Sequence, residues 1–270
     1  MSAQDQYTHG HHESVLRSHR WRTAENSAGY LLPALVPGQR LLDVGCGPGS
    51  ITIDLAARVA PGEVVGLDRS ERVIEIARDA ARRAGAGEIA FDVGDVYALP
   101  YADASFDVVH AHQLLQHLTD PVAALRELRR VARPGGLVAV RDADYSAMTW
   151  YPPSAGLDEW LALYHEVTAA NRAQADAGRR LLSWVRDAGF DPAGIVPSAG
   201  IWCCATPEDR RWWVDLWAER STSSDFASQA VERGLADDVA LENLADAWHL
   251  WGASEDAWFA VVHGEVLARA

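Results

Sequence analysis

Between residues 40 and 140 the chain alternates short apolar runs with longer amphipathic ones, and this rhythm limits the possible folds more than any other feature. Residues 40–44, 64–67, 88–92, 106–111 and 137–140 read as strands rich in Val, Leu, Ile and Phe. Helices are predicted between them. One covers 50–60; one opens at Ser70-Glu71, carries Val73, Ile74, Ala77, Ala80 and Ala81 at helical spacing and stops at Gly85. A third runs over 120–133 and ends at Pro134-Gly135-Gly136. Strands this apolar need cover on both faces, so the pattern implies a parallel sheet with helices on each side.

The second half reads differently. Helices are predicted over 157–177, 181–188, from Thr206 and over 237–251, with strands over 199–204 and 257–267. Ten of the eleven Trp lie at or after Trp150. That density suggests an apolar cap or pocket wall, while Trp212, Trp213, Trp217, Trp248 and Trp251 serve equally to pack helices together; the two uses are compatible. The expected organisation is one compact domain in three parts: a polar, His-rich helical lid over 1–30, a ligand-binding core over 31–145, and a remainder over 146–270 that holds the last strands and the Trp-rich cap.

Composition closes several routes. All 24 basic residues are Arg, so Schiff-base, pyridoxal-phosphate and phosphate-loop chemistries that need Lys are excluded. The net charge of −14 argues against a nucleic-acid or anionic-membrane surface. Cys46, Cys203 and Cys204 form neither a disulfide framework nor a zinc-type pair, and the Cys203-Cys204 pair is expected in the core. The first residues lack an apolar signal region and no apolar stretch approaches bilayer length, so a cytoplasmic protein is expected.

The turn Asp43-Val-Gly45-Cys-Gly47-Pro-Gly49-Ser50 joins the first strand to its helix, where glycines let backbone approach a ligand closely. A dinucleotide site wants a third Gly where Ser50 stands. A carboxylate at Asp43 repels a pyrophosphate but suits a ligand carrying an ammonium and a sulfonium. Asp68 follows 23 residues after Gly45 and is placed to accept both hydroxyls of a ribose. Asp95 is placed to accept from an exocyclic adenine amine while Val96 packs on the ring. Three acids at successive strand ends lie where open parallel sheets bind ligands.

The segments 42–49, 65–68, 94–95, 99–107 and 133–136 together resemble class I S-adenosylmethionine (SAM)-dependent methyltransferases, of the ubiquinone/menaquinone-biosynthesis type and its small-molecule relatives. The resemblance is strong over about 35–145. It implies a Rossmann-like, doubly wound, seven-stranded α/β sheet with an antiparallel last strand. It also implies roles: Asp43, Gly45 and Gly47 around the methionine moiety, Asp68 at the ribose, Asp95 and Val96 at the adenine, and His112 and Gln113 near the methionine part and the transferred methyl, with Arg69 also among the cofactor-binding residues. The helical segment between the last two strands departs from the minimal fold and leaves the acceptor open.

Methyl transfer from a sulfonium is an in-line displacement that needs a base only when the acceptor must lose a proton. Of Asp142 and Asp144 after the fifth strand, Asp144 is taken as the substrate contact, with His112 as a second catalytic candidate. His117 is read as bracing the next helix. The stretch Tyr7 to His12, with His9 and His11, followed by His19 and Arg22, reads as a solvent-exposed arm or as a lid in which Arg22 pairs the SAM carboxylate. No metal site is expected there. The function expected is methylation (O-, N- or C-) of a small, fairly apolar acceptor with release of S-adenosylhomocysteine (SAH). The alternatives are an NAD(P)-dependent oxidoreductase and a non-catalytic SAM-binding protein. Exposed Trp in the cap would serve a homodimer as readily as a substrate.

Overall fold

The structure, a computed structural model, describes Asp5, Thr8, His19 and residues 21–270. Tyr7, His9, His11, His12 and most of the first twenty residues of the expected lid lie outside the described residues.

The five expected strands form. β1 (Leu41–Val44), β2 (Val64–Asp68), β3 (Ala90–Val93), β4 (Phe106–His112) and β5 (Ala132–Ala143) pair in the order β3-β2-β1-β4-β5, all parallel. β1 and β4 are buried along their whole length, as both-face cover demands. β8 (Trp258–Arg269) pairs antiparallel with β5 on one edge and with β7 (Ile195–Cys204) on the other. β8 is therefore the reversed strand that the resemblance implies. The sheet has eight strands rather than seven, because β6 (Thr149–Tyr151) pairs with Trp258 to Ala260 of β8. Three residues are too few to carry an alternating pattern, so nothing in the sequence announces β6. β5 is also longer than expected: Gly135 N donates to Ala270 O (2.8 Å) and Ala270 N to Gly136 O (3.0 Å), so the chain end recruits what reads locally as a helix stop.

The helices take their ends from local signals. In α1 (Ala24–Ala28), Thr23 and Asn26 cap each other reciprocally. α2 (Ser50–Val59) starts at Gly49, and α3 (Glu71–Arg83) starts at Ser70, whose side chain accepts from Val73 N. Asp120 caps α4 (Pro121–Val131) through Ala123 N. α5 (Ala155–Ala170) belongs to the cap, α6 (Leu181–Asp187) packs against the parallel sheet through Leu181 and Val185, and α7 (Pro207–Ser223), α8 (Asp225–Glu232) and α9 (Asp238–Gly252) complete the cap. α5 ends seven residues before the predicted 177. Asn171 closes it and donates from Nδ2 to Gln229 (2.7 Å) and Thr8 (3.1 Å), tertiary bonds that outweigh the helix preference of the Ala-rich run that follows. α8 was not predicted; its eight residues lie too close to α7 for a separate period to show.

Two apolar clusters cover the two faces of the parallel sheet, and the third and largest fills the cap. Trp160, Trp217 and Trp248 are fully buried at its centre, with Trp160 edge-on to Trp217 (4.4 Å) and to Trp248 (4.9 Å). Packing thus accounts for these three, while Trp258 is the cap Trp most clearly at the surface. Cys204 is buried and its neighbour Cys203 exposed, as alternation along β7 requires, so only one of the pair is in the core. Among the described residues no helix is long and apolar enough to cross a membrane.

Candidate active site

The turn after β1 folds back on β2: Gly45 N and Cys46 N both donate to Leu67 O, at 2.7 and 3.0 Å. Gly47 has a φ of 56°, a left-handed conformation that favours Gly, while a Cβ there would meet His19 Nδ1 only at ordinary contact distance, 3.5 Å. Ser50 Oγ donates to His19 O (2.8 Å), bringing the residues before α1 over the N-terminus of α2. Beneath this turn lies a cavity of about 810 Å³. Small-molecule sites occupy roughly 300–1,000 Å³, so the space suits a nucleoside-sized ligand.

The three acids border this one cavity but behave differently. Asp68, at the tip of β2, accepts from Gly47 N (3.2 Å) and Ser70 N (3.0 Å), so its carboxylate is oriented by backbone on both sides. Asp95 is exposed and accepts from Tyr97 N (3.0 Å), with buried Val96 beside it. Asp43 is 2% exposed, and both its oxygens are engaged: Thr52 Oγ1 donates at 2.6 Å, and His110 Nδ1 lies at 2.7 Å. Asp43 thus borders the cavity with both carboxylate oxygens already hydrogen-bonded inside the protein. Its carboxylate ties β1 to α2 and β4 and contributes negative charge from below the turn.

The opposite wall comes from the end of β4 and the N-terminal segment. His112, Gln113 and Arg22 border the cavity, as do Gly45, Gly47 and Arg69. Gln113 sits at a φ of 50° with its N donating to Arg141 O (2.7 Å), and its Oε1 accepts from Arg22 (2.6 Å). Burial, then the Arg22 and Arg141 charges, hold the His112 imidazole well below its ordinary pKa, so it is neutral. His117 borders the same space, where burial and then Arg22 and Arg220 push its pKa down to about 3. It lies in a short turn before α4 and also borders the cavity.

Asp144 is not brought to either hollow. It caps the turn at Tyr145–Ala147, accepting from Ala147 N, and grips Arg179 through both oxygens, at 2.5 and 2.6 Å. Its neighbour Asp142 is fully buried, accepts from Gln116 N (3.0 Å), and is pushed up to about 7 by burial. Asp5 was not foreseen in the sequence. Its carbonyl accepts from Arg69 (2.8 Å) and its carboxylate from Thr119 N (2.8 Å), joining two rims of the cavity. With partners 64 and 114 residues away, no local signal could have identified it.

Beyond Gln113 and Arg22 a second hollow of about 30 Å³, room for about one water, lies among Trp21, Trp202, Trp212, Trp213, Trp217 and Tyr145. Trp21 stacks on Trp212 (5.0 Å) and stands edge-on to Trp202 (5.2 Å). Arg22, Gln113, His19 and His117 border both spaces.

Fold and cavity together define a doubly wound α/β protein with a ligand site outside the carboxyl ends of its parallel strands. Residues 35–189 match the methyltransferase domain family. An uncharacterized methyltransferase of Schizosaccharomyces pombe is 34% identical, over 97% of this chain and 96% of its own length. The 27-O-demethylrifamycin SV methyltransferase of Amycolatopsis mediterranei is 36% identical over 63% of this chain and 60% of its own. Among solved structures, a phosphoethanolamine N-methyltransferase from Haemonchus contortus with bound SAH shares the fold at a TM-score of 0.54. It is 19% identical, and the match covers 87% of this chain and 49% of that one. The chain belongs to the methyltransferase domain family and is a SAM-dependent methyltransferase.

Proposed function

We propose that this chain binds SAM across the tips of β1 to β4 and methylates a small, fairly apolar acceptor presented from the aromatic side. The observation that carries the reading is the single cavity bordered together by Gly47, Asp68, Asp95, His112 and Gln113. Its size and its donor set fit a nucleoside with an amino-acid tail. Asp68, held by two backbone N–H groups, is suited to accept from ribose hydroxyls. Val96 offers an apolar face for the adenine and Asp95 an acceptor for its amine. Arg22 is the cation suited to the carboxylate of the methionine part, while Asp43 sets a negative field under its cationic groups. Asp5, bonded to both rims, supports a lid role for the N-terminal segment.

When bound, SAM supplies an activated methyl on a sulfonium. The chain's own work is alignment and exclusion of water. His112, neutral and of depressed basicity, is a poor proton acceptor near neutral pH, and the Asp144 carboxylate is committed to Arg179. The reading therefore has no general base from either residue, and the acceptor arrives with its nucleophile ready or loses its proton to solvent. The aromatic walls at Trp202, Trp212, Trp213 and Trp217 support an apolar acceptor.

Calorimetry with SAH tests the cofactor, and a panel of phenols, amines and quinols with SAH release as readout tests the acceptor. Saturable SAH binding is expected, with turnover favouring apolar members of the panel. Absence of binding heat, or a preference for NADH, sinks the proposal.

A further inference from the structure

A buried line of hydrogen bonds runs from the last strand to the cavity. His263 of β8 is fully buried and borders neither hollow. Its Nδ1 lies 3.1 Å from the Val261 carbonyl oxygen, which can only accept, so Nδ1 carries a proton. Burial, then the Arg141 and Arg22 charges, keep the ring neutral. Nε2 is thereby left as an acceptor, and the Gln113 amide nitrogen, which can only donate, faces it at 2.8 Å. This turns Gln113 Oε1 toward Arg22, whose Nη2 donates to it across 2.6 Å. A flipped Gln113 amide would set acceptor against acceptor at His263 and donor against donor at Arg22. The Gln113 backbone, at a φ of 50° and bonded to Arg141 O, is pinned as well.

We propose that His263 is a positioning residue for cofactor binding: through Gln113 it holds the Arg22 guanidinium where it meets the carboxylate of the methionine moiety. This rests on the reading of Arg22 given above. The Val261 carbonyl sets the imidazole tautomer, the tautomer sets the amide, and the amide sets the cation, so one main-chain oxygen on β8 dictates the geometry of a charge on the N-terminal segment.

The test compares two ligands that differ in that carboxylate-bearing tail, SAH and 5′-methylthioadenosine. His263→Phe keeps a ring against Trp202, whose centroid lies 4.4 Å away, but removes the acceptor. SAH is expected to bind about tenfold more weakly, the effect of one lost hydrogen bond ending on a charge, and 5′-methylthioadenosine as in the wild type. Adding Gln113→Glu should restore SAH affinity, because a carboxylate pairs with Arg22 without help from His263. Equal weakening of both ligands, or of neither, overturns the inference and leaves the cofactor reading intact. If the wild type binds neither ligand, the cofactor reading fails and takes this inference with it. A second measurement needs no variant: nitrogen NMR shifts of the wild-type protein near neutral pH are expected to show His263 neutral and protonated on Nδ1. A proton on Nε2 overturns the inference too.

Discussion

In the parallel half of the molecule, β1 to β4 bring Gly47, Asp68, Asp95 and Gln113 to neighbouring tips, around a hollow of about 810 Å³. In the cap, Trp202, Trp212, Trp213 and Trp217 surround about 30 Å³. The first hollow exists because backbone geometry makes it: parallel strands end together, and a Gly-rich turn keeps side chains out of the space. The second is what remains after large aromatic rings have packed against one another, so its size depends on rings rather than on strand ends. One half therefore presents a preformed ligand site. The other is a core that, in the proposed reading, would yield some of its packing to admit an acceptor, and Trp21 is inserted there against Trp202 and Trp212.

If the halves are this distinct, damage to one should leave the other's task intact. The largest effect is expected from Trp160→Ala, which removes a fully buried indole from the centre of the cap. Chemical denaturation should show a loss of about 3–5 kcal/mol, with SAH affinity of the folded protein within about twofold of wild type. A parallel collapse of SAH affinity would erase the distinction. Next in size, Asp68→Asn removes the charge at the tip of β2 while keeping a hydrogen-bonding side chain. SAH binding by calorimetry should weaken roughly tenfold, with thermal stability nearly unchanged.

A third effect concerns the seam, where Asp142 of β5 is bonded to Gln116 N. Its carboxyl rises from the ordinary 3.8 to about 7, so between those values the folded chain binds a proton that the unfolded chain has released. Stability therefore falls as pH climbs from about 4 to about 7. Asp142→Asn should flatten that slope and raise the melting temperature relative to wild type at alkaline pH; equal slopes for the two proteins would show that the buried carboxyl does not titrate in this window.

Much of the parallel half was legible because its causes are local. Apolar runs bounded by Gly and Asp mark β1 to β5 to within a few residues, and the Ser70 and Asp120 caps mark two helix starts. The grouping of Asp68, Asp95 and Gln113 around one space was legible too, since parallel strands in this order must end side by side. What Asp43 and Asp144 do was not. An acid at a strand end reads the same whether it faces a ligand or a buried partner, and the partners that claimed these two, His110 and Arg179, stand 67 and 35 residues away. The extension of β5 and the early end of α5 were hidden for the same reason, since Ala270 and Gln229 decide them from a distance.

Sequence by itself determined the parallel sheet and the Gly-rich turn, because hydrophobic period and glycine placement act over a few residues, and pointed to the chemistry class through five segments that resemble a known family. Tertiary structure alone decided which carboxylates remain open to a ligand, how the aromatic rings close the second hollow, and how a carbonyl on β8 reaches Arg22 through His263 and Gln113. Hydrogen-bond direction and ring packing depend on groups brought together from distant parts of the chain, and no short stretch of residues contains that information.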